Sequence, residues 1–283
     1  MNNHEKGLII ISGCDTGIGF SLARIFDRSG YKILVSYVYE NPFPDNPNIR
    51  AYKMDLRVPK EIAAFISYAR TILKDGTTLE AVITNSGVAI GGPIENLPGS
   101  IYRDSFDINY FGAVAIIQTF IPNLILSSGR IMVIGSLAGK IAMPYMSPYA
   151  CTKFALEGFC DSLRRELNPF GVKTILIEPS AVATPIWSKA LKQDISFVDQ
   201  KYMKSLSKFQ ENFIESGNQG MDTEKASKII TDKLFIKKPK ARYLISQNNF
   251  ITRILTLLPQ VLIDYAVKSM FNMNYGNEAG KNK

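Results

Sequence analysis

The sequence predicts an α/β protein: one domain built on a doubly wound parallel sheet with helices on both faces. Three observations predict it. Short, nearly continuous apolar runs alternate with helix-period segments through the first two-thirds of the chain. A glycine cluster joins the first apolar run to the first helical segment. The 283 residues are 46% hydrophobic and 20% charged, the composition of a folded globular chain.

The elements follow in order. "GLIIISG" (7–13) reads as a buried strand, and "TGIGFSLARIFDRSG" (16–30) as a helix with Leu22, Ile25 and Phe26 on one face and Gly30 as its stop. "YKILVSYV" (31–38) and "IRAYKMD" (49–55) are the next strands. A helix over 59–73 opens with proline. "LEAVITNSG" (79–87) is the fourth strand, and a helix around 100–127 leads to "GRIMVIGS" (129–136). A helix over 148–168 precedes "VKTILIEPS" (172–180). Residues 181–222 are polar and basic, with little helical periodicity, and read as a substrate lid. A helix over 223–236 has Thr223 as its cap. A last strand covers 241–246. Residues 248–271 are apolar and helical, broken by Pro259, and Arg253 and Asp264 interrupt them before they reach a membrane-spanning length. Residues 7–180 thus form the core, 181–222 the lid and 223–275 the C-terminal helices with the last strand.

The bulk numbers exclude several functions. The only histidine is His4, so neither a histidine triad nor a histidine metal site is expected, and no metal is assigned. Cys14, Cys151 and Cys160 form no CxxC pair, and the polar start "MNNHEK" lacks a secretory pattern, so a cytoplasmic protein is expected. The net charge of +8 lies mostly after residue 180. No nucleic-acid motif accompanies it, so nucleic acid is not expected as a partner.

The turn "SGCDTGIG" (12–19) places Gly13, Gly17 and Gly19 between strand and helix. Glycines there let the backbone approach a phosphate, and the helix N-terminus offers free N–H groups to a pyrophosphate. The spacing is GxxxGxG, which leaves the cofactor open between a dinucleotide and S-adenosylmethionine.

A second cluster lies in "YMSPYACTK" (145–153). Ser136 ends the fifth strand, where a doubly wound sheet holds its ligand. Ser147 is expected to cap the following helix, with Pro148 in its first turn. Tyr149 and Lys153, four apart, then share a face. A phenol with an ordinary pKa near 10 is poorly poised at neutrality, and a nearby ammonium lowers it. The pair suits acid/base catalysis of an alcohol–carbonyl interconversion, with Ser136 holding the substrate oxygen. Tyr145, on the connecting loop, is a candidate pocket wall.

With these residues in place, the chain resembles the short-chain dehydrogenase/reductase family, over residues 7–185. "SGCDTGIG" resembles its TGxxxGIG turn, with Ser12 in place of threonine, and "TNSG" (84–87) its NNAG, matching at Asn85 and Gly87. "INYFG" supplies Asn109, and "EPSAVATP" (178–185) resembles its PG…T segment, with Ser180 replacing the glycine. The resemblance implies a Rossmann-type fold, hydride transfer with NAD or NADP, and a homodimer or homotetramer. It implies the catalytic set Asn109, Ser136, Tyr149 and Lys153. Asn109 would maintain a helix kink and bind a relay water, and Lys153 would hold the nicotinamide ribose. The implied cofactor contacts are Gly13, Asp15, Thr16, Gly17, Ile18, Gly19, Asp55, Leu56, Asn85, Ser86, Gly87, Tyr149, Lys153, Pro179 and Thr184. Substrate contacts fall on Ser136, Tyr145, Tyr149 and Trp187.

Glu40 stands two or three residues past the place of the acid that would select NAD, and it is the absence of a basic residue before Gly17 in the turn that leans the cofactor to NAD. "GCDTGIG" is similar to the turn of the retinol and hydroxysteroid dehydrogenase branch. The apolar C-terminal third, with Trp187, Phe209, Phe213 and Phe250, suggests a lipophilic substrate; packing of the lid or of a dimer face explains the same residues. Segment 248–271 could instead rest on a membrane surface. A sugar-nucleotide epimerase would carry a different glycine spacing, and a methyltransferase would leave Tyr149 and Lys153 unexplained. A non-catalytic dinucleotide sensor is the alternative of a different kind.

Overall fold

The structure, a computed structural model, describes residues 6–74, 76–192, 194–271 and 273. His4, the terminal "GKNK" and residues 274–275 of the expected C-terminal unit lie outside the described residues. Seven strands form one sheet: β1 (Lys6–Ser12), β2 (Tyr31–Tyr37), β3 (Ile49–Lys53), β4 (Leu79–Thr84), β5 (Arg130–Ile134), β6 (Lys173–Pro179) and β7 (Arg242–Ile245). Their spatial order is β3-β2-β1-β4-β5-β6-β7, parallel throughout. This is the Rossmann-type arrangement the sequence predicts. Both faces are covered, so strands such as β1 are buried on successive residues rather than alternate ones.

Helices α1 (Gly17–Arg28) and α8 (Thr223–Leu234) cover one face, where Phe26 and Ile230 meet Ile9 and Ile11. Helices α2 (Pro59–Lys74), α4 (Gly112–Ser127) and α5 (Ser147–Leu167) cover the other, around Phe65, Phe120 and Leu156. The winding reverses between β1 and β4, which opens a crevice at the strands' C-terminal ends. The expected helix around 100–127 is α3 (Gly99–Phe106), a π-helical turn at Asp107–Phe111, and α4, without interruption.

Two expected caps are corrected. Ser147 does not cap α5. It is the first helical residue, its Oγ lies 2.6 Å from Tyr102 Oη, and the capping position falls on Met146. The helix starts early because Tyr145 adopts φ 61°, which turns the chain so that Ala150 N–H already bonds Met146 O. In α8 the cap is Asp222 rather than Thr223. The Asp222 carboxylate accepts from Lys225 N–H at 2.8 Å, while the Thr223 hydroxyl donates to Ala183 O. Pro148 stands in the first turn of α5 as expected.

Beyond β6 the lid is more ordered than its periodicity suggests: α6 (Ile186–Leu191) leads to α7 (Gln200–Asn218), which Asp199 caps through Lys201 N–H. After β7 come α9 (Asn249–Leu255) and α10 (Gln260–Met270), bent by 109° at the break before Pro259. A third apolar cluster joins Tyr145, Met146, Phe209 and Phe271, with Tyr149, Phe213 and Val267 packed against it. It fixes the lid over the C-terminal ends of the strands.

Candidate active site

The glycine turn is built by close approach. Gly13 and Gly17 adopt φ 71° and 67°, conformations that suit glycine. A Cβ on Gly19 would strike Gly13 O and lie 2.5 Å from Asn85 Nδ2. Asn85 itself donates to Gly13 O at 2.7 Å, and the Ser12 hydroxyl accepts from Asn85 and Ser86 N–H at 3.2 and 3.3 Å. The serine that replaces threonine therefore ties the β1 exit to the β4 exit. No side chain caps the N-terminus of α1, where Thr16 is extended, Gly17 leads the helix and Ile18 packs beneath it. The cradle fits a pyrophosphate held by α1 N–H groups. Thr184, after the Pro179 end of β6, packs beside Gly17: a Cβ there would sit 3.3 Å from Thr184 Cβ and Cγ2. Ser180 needs no glycine conformation, because its N–H continues the ladder to Ile245 O at 2.9 Å.

Asn109 sits in the π-helical turn, almost fully buried. Its Oδ1 accepts from Val88 N–H at 2.8 Å, and its Nδ2 donates to Val88 O and Thr152 Oγ1, both at 3.0 Å. Thr152 donates in turn to Tyr149 O at 2.7 Å. The π-helical turn is thus tied through Asn109 and Thr152 to the start of α5. Ser136 accepts from Ala138 N–H at 3.1 Å and stands close enough to the Tyr149 phenol to lower its pKa. Lys153 is buried, donates to Ile134 O at 3.0 Å, and lies 5.5 Å from the centroid of the Tyr149 ring. A Cβ on Gly87 would lie 3.5 Å from Asn109 Oδ1 and 3.8 Å from Lys153 Nζ, so the β4 exit, Asn109 and Lys153 meet at one place.

Burial pushes the Tyr149 phenol above its ordinary value, and the Ser136 hydrogen bond pulls it partly back. Burial also lowers the Lys153 ammonium to about 8. The expected depression of Tyr149 by Lys153 is not seen in this structure, where burial raises the phenol and the ammonium is directed to a backbone carbonyl.

Several predicted residues also make contacts within the chain. Asp15 Oδ1 accepts from Val38 and Tyr39 N–H at 2.9 and 3.0 Å, so this carboxylate shapes the β2 exit. Asp55 holds Arg57 through both oxygens, with Nη2 at 2.6 Å, and those bonds keep its carboxyl below the ordinary range. Leu56 is buried in the core against Gly112. Tyr145 is buried, its Oη lies 2.6 Å from Ser205 Oγ of α7, and its ring meets Phe209. Trp187 donates to Val182 O at 2.6 Å and packs on Phe213 and Gly217, inside the lid. Sequence reasoning missed Thr152, Ser205 and Arg57. Thr152 had a signal: a small hydroxyl residue three after Tyr149 bonds back along the helix.

A glycine cradle at the switch point of a parallel sheet, with Ser136, Tyr149 and Lys153 gathered at the same strand ends, fits the class of dinucleotide-dependent α/β oxidoreductases. A family model described as short chain dehydrogenase matches residues 7–195. The chain belongs to the short-chain dehydrogenase family and is an NAD(P)-dependent oxidoreductase with a small-molecule substrate. It is 33% identical over 228 residues to the uncharacterized oxidoreductase YusZ of Bacillus subtilis, covering 76% of this chain and 81% of that one. It is 24% identical to the NADPH-dependent 1-acyldihydroxyacetone phosphate reductase of Saccharomyces cerevisiae, covering 100% and 97%. A short chain dehydrogenase/reductase from Burkholderia phymatum, solved in complex with NAD, shares the fold with a TM-score of 0.77 at 16% identity, over 94% of this chain and 97% of that one.

Proposed function

We propose that this protein interconverts a primary or secondary alcohol and its carbonyl on a lipophilic, lipid-like or steroid-like substrate, with Tyr149 as the general acid/base. The observation that carries the reading is the position of Tyr149. Its phenol is close enough to Ser136 for its pKa to be lowered by it, and Tyr149 packs against an apolar wall, the cluster that includes Tyr145, Met146, Leu206 and Phe209. The bound nicotinamide supplies or accepts the hydride. Tyr149 gives a proton to the substrate oxygen in reduction and takes it in oxidation, while Ser136 holds that oxygen by hydrogen bond. Lys153, with a pKa of about 8, is mostly charged at neutral pH; its Nζ lies 5.5 Å from the Tyr149 ring centroid, and a charge brought closer to the phenol in the working complex would favour the phenolate. Asn109 and Thr152 position the helix that carries both. The apolar wall, and the lipid named for the yeast reductase, support the lipophilic substrate.

The reading extends to NADP(H) rather than the NAD to which the turn leans. Asp15 Oδ1 already accepts from two backbone N–H groups, which holds this carboxylate on the β2 exit. Lys189 lies 5.2 Å from the Tyr39 ring, and Arg57 is close enough to act on the same phenol, so cations gather at the β2 exit. The homodimer or homotetramer implied by the resemblance belongs to this reading, and sedimentation tests it.

The decisive experiment is Tyr149→Phe. Turnover should fall by about 10²–10⁴-fold while dinucleotide binding stays within about twofold. Turnover that survives the change refutes the mechanism, and a wild-type protein that binds dinucleotide but turns over no carbonyl favours the sensor. A carbonyl panel from short polar to long-chain and steroid ketones, run with NADH and NADPH, tests substrate and cofactor. Activity confined to small polar carbonyls overturns the lipophilic assignment.

A further inference from the structure

We propose that the α9–α10 elbow is a docking platform for an anionic lipid bilayer. The two helices turn their apolar residues outward. Phe250, Leu257, Val261 and Tyr265 are 75%, 78%, 76% and 76% exposed, and Ile251 and Leu262 are each 54% exposed. Thr252 is the one buried side chain described in α9, and it is polar, so the apolar residues of α9 serve no interior of this chain. A contiguous apolar surface of this kind marks an interaction site.

The geometry selects a bilayer surface. Together α9 and α10 are apolar enough to span a membrane, but they hold only 7 and 11 residues and meet at 109°. A span needs about 20 residues in one helix. An element that is apolar, helical, short and bent lies within the interface instead. Arg253 and Lys268 are exposed along it against a single acid, Asp264. Sixteen Lys and Arg stand against nine Asp and Glu after residue 180, whereas the first 180 residues are nearly balanced. A positive apolar surface complements anionic headgroups. A second copy of the chain would bring the same positive charge against itself.

The platform is attached to the active-site wall. Val267 and Phe271 lie on the opposite side of α10 and close the cluster that contains Tyr145 and Tyr149, with the Phe271 ring 5.5 Å from that of Phe209. α10 therefore separates the lipid-facing surface from the candidate substrate pocket.

The test is co-sedimentation of the full chain with vesicles of phosphatidylcholine alone and of phosphatidylcholine mixed with phosphatidylglycerol. The protein should bind the mixed vesicles more tightly, and salt should weaken that binding. Phe250→Ser with Leu257→Ser should lower partitioning at least about tenfold at an unchanged thermal midpoint. Arg253→Gln with Lys268→Gln should lower binding to the mixed vesicles and leave the weak phosphatidylcholine binding unaltered. Failure to sediment with mixed vesicles overturns the proposal, as does a serine variant that binds like wild type. A serine variant that changes only the oligomeric state, without vesicle binding by wild type, assigns the elbow to a contact between copies. Tyr149→Phe should leave vesicle binding unchanged, so the docking stands or falls separately from the catalytic reading.

Discussion

The sheet core and the C-terminal elbow are both rich in apolar side chains, and they dispose of them in opposite ways. In β1, Ile9, Ile10 and Ile11 are wholly buried, as are Phe65 and Phe120 on the helices above. In α9 and α10 residues of the same chemical type face water. Hydrophobic composition alone therefore does not predict burial. In the core, a parallel sheet needs cover on both faces, so the pattern and its partners are specified together. In the elbow the pattern is specified by something outside the chain's own interior.

The largest expected effect breaks this contrast if it fails. Phe120→Ala should cost about 3–5 kcal/mol, and Phe250→Ala close to nothing, as read from urea unfolding of the two variants side by side. Similar losses would mean that α9 packs where it is exposed here. Next comes the cradle itself. Gly19→Ala should weaken dinucleotide binding by about a hundredfold, followed by fluorescence titration, because the new methyl group displaces Gly13 O or Asn85. A third test concerns a charge held inside the core half. Lys153 titrates at about 8 when folded and at 10.5 in its ordinary state. The unfolded chain binds more protons between those values, so the stability of the cofactor-free protein should rise with pH across that window. Lys153→Met should remove that part of the slope, measured as unfolding free energy against pH. The smallest effect sharpens the boundary between core and lid. Asp222→Ala should cost about 1 kcal/mol as the loss of a cap, by thermal or urea unfolding.

The contrast also explains what the sequence made legible. Strand and helix positions in the core were readable because burial on both faces leaves long apolar runs, and the glycine turn because its tight approaches admit no side chain. The Tyr149–Lys153 pair was readable because helical spacing fixes their common face. Capping was misread at Ser147 and Thr223, since a cap depends on where the preceding loop turns, and Tyr145 and Asp222 decide that through backbone geometry and reach. The order of α7 was hidden because its polar exterior masks a stripe of Leu206 and Phe209 that is buried only once Tyr145 and Phe271 arrive from distant parts of the chain. The intrachain partners of Asp15 and Asp55 were not legible, because a carboxylate in a motif does not reveal which backbone N–H groups or which guanidinium will reach it.

Tyr145 carries two demands that pull toward different amino acids. Its φ of 61° is comfortable for glycine or asparagine, while its ring and hydroxyl serve Phe209 and Ser205. Its carbonyl accepts from Gly92 N–H and presses on Gly91 so closely that a methyl group there would collide with it. A residue that relaxes the backbone loses the phenol, and one that keeps an aromatic ring without the hydroxyl takes away the donor to Ser205, whose own hydroxyl donates to Tyr202 O. In a combinatorial library this position should therefore change only together with Gly91 and Ser205, and a search that varies one codon at a time should stall there while the neighbouring lid drifts freely.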